Sequence, residues 1–299
     1  MRIVYYCAAV TGSGHTVRGI AIHNALVRSG LPCEFTMVGT LGMPELARAQ
    51  GIPVVELAHE TFETLAPDRY RGSETFRTLE TLDADILIVD LAWYATHRLV
   101  ADLRANSVLL VRQVSEDFFS YEFQYDEVRF DPSAYDRVIR IEPCDLPFEA
   151  HPIDPIVIRN PPEILSRAEA AAALGLDPNR PAALIATNGK PGEFEELTQT
   201  YSYLDDDYQL FCTSNHHGGV FPIVHYFNAF DFLVCSGGYN AFWEAVFFGK
   251  EAVFVPHARR FESQAQRIER CQDYQFTGNG ADQLVRLLGL SGCIGPHLQ

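Results

Sequence analysis

Positive charge is scarce in this 299-residue chain: 23 Lys and Arg stand against 39 Asp and Glu, a formal net charge of −16. Such a deficit excludes a basic face over most of the surface and argues against nucleic acid as a partner. It argues equally against long-range attraction to an anionic bilayer. Cysteine supplies no framework. The seven (Cys7, Cys33, Cys144, Cys212, Cys235, Cys271, Cys293) are odd in number, scattered, and nowhere spaced as CxxC. That pattern excludes a disulfide scaffold or a zinc ribbon and favours buried thiols in a reducing compartment. No apolar stretch approaches the roughly 18 residues of a membrane span, and no segment is of low complexity. The first apolar run, Ile3 to Val10, is too short for a secretory leader and ends in a glycine turn instead of a cleavage site. A globular, cytoplasmic protein is expected.

Hydrophobic residues make up 47% of the chain and charged residues 21%, enough apolar surface to bury real cores. At about 100–200 residues per domain, the length suggests two domains. The order of elements supports this. Arg2 to Val10 reads as a strand buried on both faces, followed by a Gly-rich turn and a helix ending near Gly30. Cys33–Val38 and Val54–Leu57 read as strands, with a short helix Pro44–Gln50 between them. Phe76–Leu82 and His97–Arg104 read as helices, and Asp85–Asp90, Val108–Val111 and Val138–Ile141 as strands. Six prolines between Pro143 and Pro162 mark a boundary. Beyond it, helices Arg167–Leu174, Glu193–Thr200 and Asn240–Phe248 alternate with strands Ala182–Ala186, Gln209–Cys212, Phe230–Cys235 and Ala252–Val255. The expected architecture is α/β, with two Rossmann-like, doubly wound domains (residues 1–150 and 151–299) facing a central cleft.

Three constellations sit where strands end at that cleft. The first is Gly12-Ser13-Gly14-His15-Thr16-Val17-Arg18. Glycines let a backbone approach a ligand, the helix start offers free N–H groups, and His15 has a pKa suited to proton transfer. A dinucleotide fingerprint would need glycine at Val17, and no Gly-Lys-Ser/Thr of a phosphate loop follows. The second is Ser236-Gly237-Gly238-Tyr239-Asn240, a strand-to-helix turn whose amides suit a diphosphate. Glu244 lies one turn on, where a carboxylate can accept two hydrogen bonds from a ribose diol. The third is His257 to Arg267, in which Arg259 or Arg260 can meet a phosphate; Arg260, Gln266 and Arg267 are read as a solvated helix start. Asp205-Asp206-Asp207 is read as a solvated turn, and His216-His217 lacks a third ligand, so no metal is expected.

Taken in order, Gly12-x-Gly14-His15, Asn188-Gly189, Ser236-Gly237-Gly238, Glu244, Gly249-Lys250, Pro256 and Glu262-x-Gln264 resemble the GT-B nucleotide-sugar glycosyltransferases. The nearest likeness is to the MurG-like branch with its family 28 C-terminal domain. That resemblance implies a metal-independent and cofactor-independent, inverting hexosyltransferase. Its donor would be a nucleotide-diphosphate sugar, taken as a UDP-sugar, and its acceptor an unidentified hydroxyl or amine. It implies His15 as general base, with Asp90, or Glu116 and Asp117, orienting it or holding the acceptor. Donor contacts would come from Gly14, Asn188, Gly189, Lys190, Ser236, Gly237, Gly238, Asn240, Glu244, Arg259, Glu262 and Gln264. The chain departs from the family in the Lys190-Pro191 that follows Gly189. It also carries no clear basic or apolar membrane-facing patch, which weighs against a lipid-linked acceptor. Two other readings use the same residues. One is a nucleotide-sugar hydrolase with water as acceptor, since Gly-x-Gly-His-x-x-Arg also marks such hydrolases of the pseudaminic-acid pathway. The other is a non-catalytic nucleotide-sugar-binding module.

Overall fold

The structure, a computed structural model, describes residues 1–8, 12–61, 63–123, 126–190 and 192–289. Of the positions discussed above, Ala9, Val10, Thr11, Pro191 and Cys293 lie outside the described residues.

The first half builds a parallel sheet from β1 (Arg2–Ala8), β2 (Glu34–Thr40), β3 (Val54–Glu56), β4 (Ile86–Asp90) and β5 (Asn106–Val111). A small antiparallel hairpin, β6 (Ser120–Phe123) with β7 (Asp126–Arg129), interrupts before β8 (Arg137–Arg140) and β9 (His151–Pro152) complete the sheet. Among the described residues its order is β3-β2-β1-β4-β5-β8-β9, with every pairing parallel. The interior strand β1 reads Ile-Val-Tyr-Tyr-Cys because both its faces are covered, and Ile3 to Cys7 are all buried. The second half builds a four-stranded parallel sheet in the order β11 (Gln209–Thr213), β10 (Ala182–Ala186), β12 (Phe232–Ser236), β13 (Glu251–Val255).

Helices α1 (Gly14–Arg28), α2 (Pro44–Ala49), α3 (Glu74–Leu82) and α4 (Trp93–Thr96) belong to the first half. Helices α5 (Arg167–Leu174), α6 (Glu193–Thr200), α7 (Tyr239–Phe247), α8 (Gln264–Cys271) and α9 (Gly280–Leu287) follow. Local signals set many of their ends. Ser73 accepts from the Phe76 amide at the start of α3, and Ser166 with Glu169 forms a full capping box on α5. Gly30 and Gly175 take positive φ just past α1 and α5.

The helix expected at His97–Arg104 is instead the short α4 and a 3₁₀ turn at Val100–Asp102. Trp93 is fully buried and its indole donates to the Phe118 carbonyl, while the Thr96 hydroxyl donates back to Ala92. Anchoring this indole takes precedence over continuing the helix. The hairpin, β9 and α9 were not anticipated from the sequence, and of α8 only its start, near Gln266 and Arg267, was.

Among the described residues, three apolar clusters form the core. One covers the outer face of the first sheet and a small one the outer face of the second. The third runs through both halves, from Ile20 and Ile139 through Ile156–Ile158 to Leu184, Trp243 and Leu284. The proline-rich connection is therefore partly core: Ile156, Val157 and Ile158 are each 1% exposed. The chain then returns, since α9 packs on α1 and Arg28 pairs with both Asp282 and Glu163. Cys7, Cys235 and Cys271 are buried thiols, and Cys33, Cys144 and Cys212 are half-buried.

Candidate functional site

The carboxyl ends of both sheets open onto one cavity of about 570 Å³, the position where parallel α/β sheets place ligands. Strand β4 ends in Asp90, whose side chain is fully buried at the cavity wall. The next residue, Leu91, holds φ +61, a left-handed backbone that a branched residue adopts only under constraint.

Asp90 gathers three donors. His15 Nδ1 lies 2.8 Å from Asp90 Oδ2, Arg18 grips both oxygens at 2.9 and 3.1 Å, and the Tyr5 hydroxyl donates to Oδ2. A carboxylate can only accept, so the His15 contact requires the proton on Nδ1 and leaves the lone pair on Nε2. Nε2 has no partner among the described residues, and the His15 side chain is 20% exposed at the cavity. Burial drives the His15 pKa below its ordinary value against the pull of Asp90, and the Arg18 charge adds to the lowering. Burial acts to raise the Asp90 carboxyl, but Arg18 and His15 outweigh it and hold it well below the usual range. The product is a neutral imidazole, oriented by an anion and open at Nε2, which is what a general base needs.

Across the cavity, the loop after β12 carries Ser236, Gly237 and Gly238 into α7. Gly238 begins the helix with no side-chain cap, so the first-turn amides are left to a ligand. Ser236, Gly238, Tyr239 and Asn240 line the cavity. Gly237 does not: its α-hydrogen side faces α8, where an added Cβ would lie 2.8 Å from Ile268. The Asn240 amide donates to the Gly14 carbonyl at 3.1 Å, tying α7 to the His15 loop. Gly12, at φ +74, brings that loop against the carbonyls of Asn188 and Gly189. Asn188 is engaged through its side chain, accepting from the Asn215 amide at 2.6 Å.

Glu244 is 8% exposed, lines the cavity, and has no side-chain hydrogen bond or ion pair among the described residues. Burial pushes its carboxyl up to about 8, with only a distant pull from Arg159 in the other direction. A buried carboxyl without a protein partner at a cavity wall is in a position to accept hydrogen bonds from a ligand.

The third constellation is committed elsewhere. Glu262 accepts from Arg112, from Arg267 at 3.5 Å and from Gln264 at 3.1 Å. Against the effect of burial, Arg112 and Arg267 hold its carboxyl down to about 2. Gln264 is 2% exposed and also accepts from the His257 amide. Arg259 forms a two-pronged pair with Glu193 at 2.7 and 2.8 Å. Lys190 is exposed and does not line the cavity. The structure thus brings together His15, Asp90, Gly14, Asn188, Gly189, Ser236, Gly238, Asn240, Glu244, Arg259, Glu262 and Gln264, and leaves out Lys190 and Gly237.

Other expectations need correction. Glu116 and Asp117 do not line the cavity, and Asp117 pairs with Ser115, so of these three carboxylates Asp90 is the one in contact with His15. Arg267 is not solvated. It is 2% exposed and clasps Glu142 at 2.8 and 2.9 Å, because α8 turns that face into the junction of the halves. Gln266 likewise reaches Gln113 at 2.9 Å. Arg260 is exposed, lies over the Phe261 ring and lines the cavity, and Asp205 to Asp207 form an exposed turn. Tyr5, Arg112, Thr187 and Glu193 went unnoticed. The Thr187 hydroxyl, 2% exposed at the cavity wall, has no partner among the described residues. Only Glu193 carried a signal, an acid opening a helix opposite an arginine-rich loop.

No family model and no curated protein matches the chain. Solved structures do. The chain is similar to MurG of Acinetobacter baumannii at 15% identity, covering 96% of this chain and 90% of that one, with a TM-score of 0.54. It is similar to the glycosyltransferase VinC in complex with DTDP at 13% identity, 98% and 91% coverage and a TM-score of 0.60. It is also similar to the spinosyn forosaminyltransferase SpnP at 16% identity, 96% and 90% coverage and a TM-score of 0.59. The fold is therefore the two-Rossmann GT-B arrangement expected from the sequence.

Proposed function

We propose that this chain is a glycosyltransferase that moves a sugar from a nucleotide diphosphate to an acceptor hydroxyl or amine. The observation that carries the reading is the meeting, in one cavity, of the His15–Asp90 pair with the partnerless Glu244 and the uncapped start of α7. The likeness of fold to MurG, VinC and SpnP supports it.

In this reading residues 151–299 hold the donor and residues 1–150 most of the acceptor. Glu244 accepts from the ribose hydroxyls and the α7 amides hold the diphosphate. His15 Nε2 takes the acceptor proton as the acceptor oxygen or nitrogen bonds to the anomeric carbon. The bond from that carbon to the diphosphate oxygen breaks, and the nucleotide leaves with the electron pair. Attack opposite the leaving group inverts the sugar. Developing negative charge on the diphosphate meets the helix N-terminus. Arg18, Arg112 and Arg259 are each engaged by a carboxylate, so the helix amides, with Arg260 as the cavity-lining arginine that no carboxylate engages among the described residues, bear that task and no metal is invoked. Two carboxylate oxygens facing two hydroxyls favour a ribonucleotide, and among ribonucleotides the family resemblance favours a UDP-sugar.

The test is a thermal-shift screen of UDP, dTDP and their sugars, followed by product analysis with and without alcohol and amine acceptors. Transfer that needs an acceptor and falls about 10²–10⁴-fold in His15→Ala supports the proposal. Rapid release of free sugar without acceptor replaces it with hydrolysis. Binding without turnover reduces the chain to a nucleotide-sugar-binding module.

A further inference from the structure

The residue that the reading above leaves without a task is Arg18. It lies on α1 one turn beyond His15 and is 2% exposed. Its guanidinium spans both oxygens of Asp90 and lies 4.9 Å from the centroid of the Tyr239 ring; Nη2 also lies 3.0 Å from His15 Nδ1, a donor-to-donor approach and no hydrogen bond once Nδ1 carries the proton that Asp90 accepts. Tyr239 is the first residue of α7, the helix whose open end faces the cavity from the other half. A buried arginine is costly to desolvate and is weak evidence for stability as such.

The charges around His15 show what Arg18 does there. From β1 come Tyr5 and Cys7, both neutral, with burial pushing their pKa values up. From β4 comes Asp90, from the segment after β5 comes Arg112, and from α1 itself comes Arg18. From α7 the neutral Tyr239 ring faces Arg18. Asp90 alone would draw a second proton onto His15 and hold it as an imidazolium, which cannot act as a base. Arg18 already matches the Asp90 charge through two hydrogen bonds, so Asp90 orients the imidazole without charging it. The Tyr239 ring fixes the far face of the guanidinium.

We propose that Arg18 is a positioning residue that keeps His15 uncharged with Nε2 free, and that its seat on Tyr239 couples this arrangement to α7. The inference builds on His15 as the base, but its first test does not depend on turnover. His15 is titrated by ¹⁵N-imidazole NMR in the wild-type chain, Arg18→Met and Arg18→Lys, without substrate. Removing a cation favours the imidazolium, so Arg18→Met is expected to move the His15 midpoint up by about 1–3 pH units. Arg18→Lys, which keeps the charge but loses the fork, should leave the midpoint near the wild-type value. The acid limb of kcat/KM should move with the midpoint, so that Arg18→Met recovers activity at high pH. In Tyr239→Leu, kcat should fall while the Arg18 charge, and with it the midpoint, stays in place.

An unchanged His15 midpoint in Arg18→Met, with rates lowered equally at every pH, would overturn the proposal. If Arg18→Met does not fold, Arg18→Lys decides. A wild-type midpoint with lowered kcat supports the role, and a midpoint displaced upward in the presence of the lysine charge refutes it. A shifted midpoint in a chain that transfers no sugar leaves the Arg18 assignment standing and removes the transferase reading.

Discussion

Glu244→Gln separates a ligand-binding carboxyl from a structural one by pH alone. The folded-state pKa of Glu244 is raised from 4.5 to about 8. An acid raised on folding binds its proton more tightly in the native state, so it costs stability as pH rises from its unfolded value toward its folded one. At about 1.36 kcal/mol per pH unit, the loss between pH 5 and pH 8 is about 3–4 kcal/mol, discounting the curvature at either end. Glutamine keeps the shape and cannot ionise. The difference in Tm between Glu244→Gln and the wild type should therefore grow in favour of the variant across that range. At about 2 °C per kcal/mol for a chain of this size, the growth is about 7 °C. Scanning calorimetry of both proteins from pH 5 to 8.5 measures it, since every other titrating group cancels in the difference.

Binding completes the case. Ribose hydroxyls that donate to the carboxylate favour its ionised form, so UDP binding should expel a proton below pH 8. The UDP Kd should then weaken about tenfold for each unit of pH lost in the wild type, and stay weak and nearly flat in Glu244→Gln. Titration calorimetry in two buffers of different ionisation heat counts the proton. Parallel Tm curves together with pH-independent UDP affinity in the wild type would refute the reasoning.

Two further outcomes follow from packing. Glu142 and Arg267 are each 1% exposed by side chain and pair at the junction of the halves, where Glu142 also accepts from the Trp243 indole at 2.7 Å. Glu142→Ala leaves the buried guanidinium with only the Gly237 carbonyl at 2.9 Å and Glu262 at 3.5 Å and should cost about 3 kcal/mol in urea unfolding; a cost below about 1 kcal/mol would mean that water or Glu262 replaces the carboxylate. At Gly42 an added Cβ would lie 1.9 Å from the Gly12 carbonyl oxygen. Gly42→Ala should lower stability by about 1–3 kcal/mol and reduce kcat by displacing the His15 loop, although residue 42 does not line the cavity; an unchanged kcat would show that the loop tolerates the shift.

Much of this architecture was legible in the residues. Helices Arg167–Leu174 and Glu193–Thr200 and strand Ala182–Ala186 occupy the ranges read from the sequence. Their caps, glycines and apolar runs are local signals. That His15, Asp90, Ser236 and Asn240 would line the cavity was legible because each sits at a strand end or in the turn and helix start that follow it, and Glu244 follows from its place one turn beyond Asn240 in α7. The failures have a common cause. Arg267 and Gln266 looked solvated because their neighbours in sequence are polar, yet their partners Glu142 and Gln113 lie more than a hundred residues away. Arg259 looked like a phosphate ligand until Glu193 was brought to it across the second half. A charged side chain's availability depends on the balance of its partners, which spacing along the chain does not record. Helix α9 was missed for a related reason: its apolar face fits α1, a partner at the opposite end of the sequence.

The apolar cluster that runs through both halves changes how the chain should come apart. Ile156–Ile158, the connection between the sheets, are core residues, and α9 returns from the second half to lie on α1. Two lobes joined by an exposed linker can be expressed separately and melt in two steps. Here, severing the chain between the sheets would cut through packed core and leave each fragment with an open apolar wall. The lobes are distinct by topology but not by thermodynamics, and heat should dissolve them in a single transition.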